Sequence, residues 1–261
     1  MKTAHKTIRL LRQFTAQEPD LGVSDLARRL DMDRSGVHRI LQTLVAENFV
    51  EQDPQTRLYR LGLGVLDLAA VRISQHGLLP IALPYLDRLR DETGETVALL
   101  VPDRSDAVCI AVVESRHSVR VGYDVGERIP LHGSAGGQAL LAHMADDAFE
   151  AYCAAGLTRF TARTITERDM LRTTLDEIRR RGFAWAQDSY IEGVLSAAAP
   201  VLDPKQRIAG SIAVAGPAQR LSVETLPEIA AAALRVANAV TAEWAGLNGA
   251  GTQARIGLRP G

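Results

Sequence analysis

Three apolar stripes of helical period and two strand-length segments are compressed into the first sixty or so residues, which leaves few ways to fold them. Ile8, Leu11 and Phe14 recur three apart, with Leu10 widening the stripe, so residues 7–15 read as an amphipathic helix. The polar stretch "AQEPDLG" closes it. In "VSDLARRL", Ser24 is the expected N-cap, and Leu26, Ala27 and Leu30 share one face. Asp33 is the expected cap of a third helix, whose Val37, Ile40, Leu41, Leu44 and Val45 fall at i, i+3, i+4, i+7 and i+8. Two short strands, Phe49–Gln52 and Leu58–Leu61, flank the turn "DPQT" and predict a β-hairpin. Three helices followed by a hairpin form the pattern of a winged helix-turn-helix.

The third helix has its apolar stripe complete, so Arg34, Ser35, His38, Arg39 and Gln42 must point away from it. In a helix-turn-helix the second helix of the motif enters the DNA major groove, and its first turns touch base edges. Arg34 and Arg39 suit guanine acceptors or phosphates, and Ser35 and Gln42 suit bases or backbone. Gly36 lets the helix approach closely. Arg57, at the wing tip, faces phosphate or minor groove in this reading. The bland alternative makes these residues the solvated face of an ordinary amphipathic helix. The wing and the preceding helix at the right separation favour DNA.

Beyond Gly64 the chain is helical to about Thr93, with interruptions expected at "QHGLLP" and at Pro84. This reads as a linker helix and then the first helix of a second domain. "TVALLV", "AVCIAVV" and "SVRVGY" are expected strands, neighbours in an antiparallel sheet. A Gly-rich loop, "GERIPLHGSAGG", leads into the helix "QALLAHM". "TITERDMLRTTLDEIRRRG" announces another helix, with Thr166 and Asp169 as a capping box and Gly182 as its stop. "FAWAQ", "VLSAAAPVL" and "RIAGSIAVAGP" are expected strands, the last two joined by the turn "DPKQ". A final helix spans "VETLPEIAAAALRVANAVTAEWAG", and a Gly-rich tail without periodicity follows. Helices and mostly antiparallel strands interleave without a βαβ rhythm, so the fold class is α+β. The expected boundaries are 1–62 for the winged helix, 63–77 for the linker helix, 78–246 for the second domain and 247–261 for a disordered tail.

Composition adds limits. With 46% hydrophobic and only 5% aromatic residues, the cores must be built from Leu, Val, Ile and Ala. The formal charge of −1 by itself points to neither nucleic acid nor membrane. The first sixty residues hold 10 of the Lys and Arg against 8 Asp and Glu, a mild excess that permits a polyanionic partner. Cys109 and Cys153 lack any metal or redox spacing and read as small buried hydrophobes. No secretory signal or membrane span is expected, which makes the cytoplasm the expected location. No cofactor or metal is expected either.

Taken together, "TIRLLRQF…GVSDLARRLDMDRSGVHRILQTLVAENFVEQDPQTRLYRLG", "VGERIPLHGSAGGQALLA" and "RRRGFAWAQDSYIEGVLSAAAPVLD" with "GSIAVAGP" resemble, in the right order, three blocks of the IclR-type bacterial transcription regulators. The resemblance covers about residues 5–245. It implies a winged helix, a linker helix and a GAF-like effector-binding domain. It also implies a homodimer, often paired into a homotetramer, acting as repressor or activator on a double-stranded DNA operator. The expected effector is a small organic acid or related metabolite.

Carried over residue by residue, the family's effector pocket falls on the loop around Gly133–Gly136, with Gly133, Ala135 and Gly136, on Val194 and Ser196, and on Ala213 and Ala215. The last two are hydroxyl-bearing in members that bind small keto acids. An acidic position before the "AAPV" strand is Ala186 here, leaving Asp188 as the nearest carboxylate, and the family's lysine is Gln138. Fewer polar groups imply a larger or more apolar ligand, an aromatic or longer-chain acid. Arg120 is a candidate carboxylate partner if it points inward and otherwise a surface arginine. His132 either polarises a ligand oxygen or hydrogen-bonds within the fold.

Two competing functions have weaker support. An esterase-like hydrolase using Ser134 needs G-x-S-x-G, but the position two before the serine is His132. A winged-helix protein that serves protein contacts alone, with no ligand, would tolerate loss of the recognition-face arginines.

Overall fold

The structure is a computed structural model that describes residues 2–15, 17–74 and 77–256, with side chains at 3–15, 17–72 and 77–247. The chain forms two compact units, Met1–His76 and Gly77–Gly261.

The first unit contains α1 (Lys2–Leu11), α2 (Val23–Leu30), α3 (Arg34–Ala46), β1 (Val50–Gln52), β2 (Tyr59–Leu61) and α4 (Gly64–Ser74). Leu10, Leu26, Val37, Leu41, Val50 and Tyr59 are almost wholly buried in its core. Truncating Leu41 to Ala would cost about 2–5 kcal/mol. β1 and β2 pair antiparallel from Val50↔Leu61 to Gln52↔Tyr59. Leu21 adds a bridge to Tyr59, tying the start of α2 to the wing. α1 runs Lys2–Leu11 rather than over 7–15, so Phe14 is buried from beyond the helix end. The N-cap of α2 is Gly22, not Ser24. Gly22 is extended and its carbonyl accepts from Leu26, so the helix begins one residue before the serine. Val45, expected on the buried stripe, is 38% exposed.

The return from the wing requires glycine. A Cβ on Gly62 would lie 2.4 Å from the Asn48 carbonyl oxygen, and one on Gly64 would lie 2.8 Å from it. The Gly64 N–H instead donates to that oxygen at 2.9 Å, so these glycines end the hairpin and start α4. Leu63, Leu66 and Leu68 are exposed by 68%, 62% and 61%.

The second unit is a six-stranded antiparallel sheet in the order β5-β4-β3-β8-β7-β6. Its elements are α5 (Leu78–Thr93), β3 (Thr96–Asp103), β4 (Asp106–Val113), β5 (Arg128–Pro130), α6 (Ala135–Leu141), α7 (Asp146–Ala154), α8 (Arg168–Arg181), β6 (Ala184–Gln187), β7 (Val194–Leu202), β8 (Ile208–Pro217) and α9 (Leu226–Ile256). α5 and α9 cover one face, over Val97, Leu99, Ile212 and Val214. α6 and α8 cover the other, over Ala98, Leu100, Ala198 and Ala213. With both faces buried, the strands read as continuous apolar runs. The alanines of β7 and β8 are explained by α6. A Cβ on Gly136 would meet Leu100 Cδ1 at 2.3 Å and Ala213 Cβ at 3.3 Å, so helix and sheet approach closely only with small residues between them.

Several local expectations change. "SVRVGY" is loop, and the strand beside β4 is Arg128–Pro130. α6 begins at Ala135 rather than Gln138, and α7 has no counterpart among the expected helices. Pro84 lies inside α5 without ending it; the residue is exposed, so the bond it omits faces solvent. The capping box before α8 does not form: Glu167 is the cap residue, and the Thr166 hydroxyl accepts from Arg159 Nη2 at 2.9 Å. Gly182 does stop α8, in the left-handed region at φ 82°. α9 continues to Ile256, past the point where a structureless tail was expected; residues 257–261 lie outside the described residues. Among the described residues, no helix is long and apolar enough to cross a membrane.

Candidate nucleic-acid interface and ligand cavity

Asp33 organises the first turn of α3. Its Oδ1 accepts the Gly36 N–H at 2.6 Å and the Ser35 hydroxyl at 2.7 Å. The Ser35 bond, then the Gly36 bond, holds the Asp33 carboxyl below the usual carboxylate range. Ser35 therefore has its proton committed to the cap and keeps only lone pairs for a partner. A Cβ on Gly36 would lie 3.0 Å from Asp33 Oδ2, so this glycine also lets the cap close. Arg34, His38, Arg39 and Gln42 are exposed along one side of the helix. Arg57 is exposed at the wing in the left-handed region, φ 61°. Its N–H donates to the Asp53 carbonyl at 3.0 Å, while the Asp53 side chain accepts from Gln55 and Thr56 and holds the turn.

In the second unit a cavity of about 30 Å³ lies between the 121–129 loop, the start of α6 and the segment 189–196. Of the anticipated effector residues, Gly133, Val194 and Ser196 line it. The wall also contains Ser134, inside the anticipated loop Gly133–Gly136, and Tyr123, Glu127, Ser189 and Tyr190, which sequence reasoning did not assign to ligand binding. Burial pushes the Tyr123 and Tyr190 phenols up, so both are neutral hydroxyls at ordinary pH. Among the described residues, Glu127 is the only charged group on the wall. One of its oxygens accepts the Asp124 N–H at 3.1 Å. The Ser189 hydroxyl donates to the Gly133 carbonyl at 2.7 Å, and Thr164 donates to the Ser189 carbonyl at 2.7 Å. Three loops are thereby stapled around the space. Phe160 meets the Tyr190 ring edge-on, with centroids 5.0 Å apart.

The remaining anticipated residues do not line this cavity. Arg120 pairs with Glu114 at 2.7 Å. Asp188 accepts the Gly193 N–H at 2.7 Å and closes a turn. Ala135 and Gly136 are packed at the start of α6, and Ala213 packs opposite Gly136. Ala215 is buried beside Ser196 in the β7–β8 register. Ala213 is thus taken up by packing against α6, and Ala215 neighbours the wall residue Ser196 without lining the cavity itself.

His132 takes the structural role. Its Nε2 faces the Thr158 carbonyl at 2.9 Å, which requires the proton on Nε2. Nδ1 then accepts from the Tyr152 hydroxyl at 2.5 Å. Burial holds the imidazole below its ordinary value, so it stays neutral. With both ring nitrogens engaged, Ser134 has no base from His132, and its own oxygen caps α6 by accepting the Gly137 N–H at 3.1 Å. The hydrolase reading loses its chemistry here. A larger open groove of about 560 Å³ beside β6 is lined, of the positions carried over from the family's pocket, by Ala186 alone.

Two family models match this chain in succession. The IclR helix-turn-helix domain matches residues 3–54, and the C-terminal domain of the bacterial transcriptional regulator IclR matches residues 70–242. The HTH-type transcriptional repressor AllR of Klebsiella pneumoniae is 33% identical over 201 residues, 77% of this chain and 74% of that protein. A structure described as an IclR transcriptional regulator from Silicibacter sp. TM1040 aligns with a TM-score of 0.78 at 31% identity, over 93% of this chain and 96% of that one. An IclR homologue from Microbacterium hydrocarbonoxydans, complexed with 4-hydroxybenzoate, shares the fold at 24% identity with a TM-score of 0.77, over 91% of this chain and 99% of that one.

Proposed function

The chain belongs to the IclR family of bacterial transcriptional regulators, DNA-binding proteins modulated by a small ligand and not enzymes, and from that premise we propose how its residues divide the work. α3 enters the major groove of an operator, where Arg34, His38, Arg39 and Gln42 meet base edges or phosphates and Ser35 accepts rather than donates. Arg57 meets the DNA backbone from the wing. The observation that carries this reading is the capped first turn of α3 beside an exposed polar face.

The effector is a small organic molecule held in the cavity of the second unit. Hydroxyls from Tyr123, Ser134, Tyr190 and Ser196 fit its polar groups. A volume of about 30 Å³ holds little more than a water, so occupancy requires the surrounding loops to move. That movement is the differential interaction a ligand needs in order to shift an equilibrium, worth about 1–3 kcal/mol of coupling in typical allosteric proteins. An acidic ligand must place its carboxylate away from Glu127. Two subunits set their recognition helices about one DNA turn apart, or a multiple of it. The exposed Leu63, just before α4, and Leu66 and Leu68 within it supply an apolar surface for that pairing.

Operator selection from a random duplex pool tests the reading. The purified full-length chain should enrich a paired half-site motif. If Arg39 makes a bidentate base contact, Arg39→Ala should weaken binding by about 1–3 kcal/mol and relax the preference at one position per half-site. Equal loss on every sequence would make Arg39 a phosphate contact. Enrichment of no motif would refute the assignment of α3.

A further inference from the structure

We propose that α1 is part of the DNA interface, with Lys6 and Thr3 holding the phosphate backbone of the strand that runs beside α3. The proposal rests on α3 lying in the major groove and extends that interface to residues no sequence motif marks.

A groove of about 440 Å³ separates the two helices, with Thr3, Lys6 and Thr7 of α1 facing Gly36, Arg39 and Thr43 of α3. An α-helix with its side chains is about 10–12 Å across, and the major groove is about 12 Å wide. A helix seated there has a phosphate strand along each flank. The flank of α3 that carries Gly36, Arg39 and Thr43 opens on α1, so the strand on that side passes over this groove. Thr7 and Thr43 donate to carbonyls of their own helices, at 3.1 Å in both cases. Among the described residues the Thr3 hydroxyl has no hydrogen-bond partner, and Lys6 supplies the charge. Asp33 also lines the groove, with Oδ1 engaged in its cap, and directs an anion toward the Lys6 and Arg39 end.

The sorting of charge in this unit supports an external polyanion. Arg28, Arg29 and Arg60 each hold a carboxylate, at 2.8, 2.6 and 3.0 Å. Among the described residues, Lys6, Arg9, Arg12, Arg34, Arg39 and Arg57 have no such partner within ion-pair distance. Residues 1–14 carry four Lys and Arg and no acid at all. Arg9, three residues after Lys6, continues the strip along α1. Unpaired like charges disfavour a compact fold unless a counter-charge arrives.

The test uses the full chain, an operator selected from a random duplex pool and a scrambled duplex of equal length. Binding is titrated by fluorescence anisotropy between about 50 and 200 mM salt, the range over which phosphate neutralisation is most visible. Lys6→Gln should weaken both duplexes by the same factor and flatten the plot of log affinity against log salt by about 0.9 for each phosphate no longer neutralised. Lys6→Arg should restore both readouts. Unchanged affinity and slope in Lys6→Gln and in Lys6→Gln/Arg9→Gln, alongside a weakened Arg39→Ala, would overturn the role of α1 and leave the reading of α3 intact. Silence of Arg39→Ala and Arg34→Ala together would remove α3 from the groove, and the role of α1 would fall with it.

Discussion

Arg220 closes on Glu95 through two N–H donors, Nε to Oε1 at 2.6 Å and Nη2 to Oε2 at 2.7 Å, and gives Nη1 to the Val119 carbonyl at 2.8 Å. Glu95 is 2% exposed at the head of β3, and Val119 begins the loop that reaches Tyr123 and Glu127 on the cavity wall. One guanidinium thus pins a wall of the ligand cavity to the sheet.

Arg220→Met should destabilise the second unit by about 3 kcal/mol. That is the low end of the range for breaking a buried pair, because the Arg220 side chain is 27% exposed. Denaturant midpoints measure the loss. Hydrogen exchange should speed up at residues 119–123, and an unchanged exchange pattern there would separate the pair from the cavity wall.

Stability should fall as pH drops below about 6.5. Burial lowers the proton affinity of His132 and His143 in the fold, whereas the unfolded chain binds their protons near its ordinary value of about 6.5. Between that value and the lowered ones the unfolded state holds more protons, so acid favours unfolding. Asp33 and Asp146, held low by their partners, act in the same direction only below about 4, where unfolded carboxylates begin to protonate. Melting temperature should be flat from about pH 8 to about 7 and decline toward about pH 5. The variant His132→Gln/His143→Gln should flatten that decline.

Removing the cap of α3 should cost about 1 kcal/mol in Asp33→Ala and much less in Asp33→Asn, which keeps an acceptor for the Gly36 N–H. Thermal unfolding of the two variants should rank in that order. Equal losses would mean that charge, rather than the cap bond, carries the effect.

Gly137→Ala should be worse than Gly136→Ala. The first places a Cβ 2.5 Å from the Leu131 carbonyl oxygen, which is backbone, and the second meets the end of the Leu100 side chain. Overpacking of a core costs about 1–3 kcal/mol, and more where backbone must yield. Paired urea titrations decide it.

Local signals were legible at several positions where the partner lay within a few residues, although Ser24 did not cap α2, which starts one residue earlier from Gly22. The Asp33 cap, the hairpin around "DPQT" and the Gly182 stop all formed as their spacing implied. Caps failed where a distant group competed: the Thr166 hydroxyl serves Arg159 instead of α8. "SVRVGY" alternates like a strand, yet it is loop because side chains rather than a neighbouring strand take its carbonyls. Arg220 takes that of Val119, and Thr96 that of Val121, at 2.7 Å. Arg120, whose direction alternation could not settle, turns to Glu114.

By itself the sequence determined α2 and α3 of the winged unit, the cap that opens α3 and the exposed face that α3 offers to DNA, while α1 kept its apolar stripe but runs Lys2–Leu11 rather than 7–15. A 3.6-residue period has one apolar side, and what is polar must lie opposite. The cavity was decided only by tertiary structure. The sheet is buried on both faces, so an apolar strand does not reveal which side meets a ligand. Register places Ser196 beside Ala215, packing takes Ala213 against Gly136, and loops from 121–129 and 189–191 bring in two tyrosines and a glutamate. Those positions converge through strand pairings and stapled loops between residues dozens of positions apart, and periodicity carries no record of such pairings.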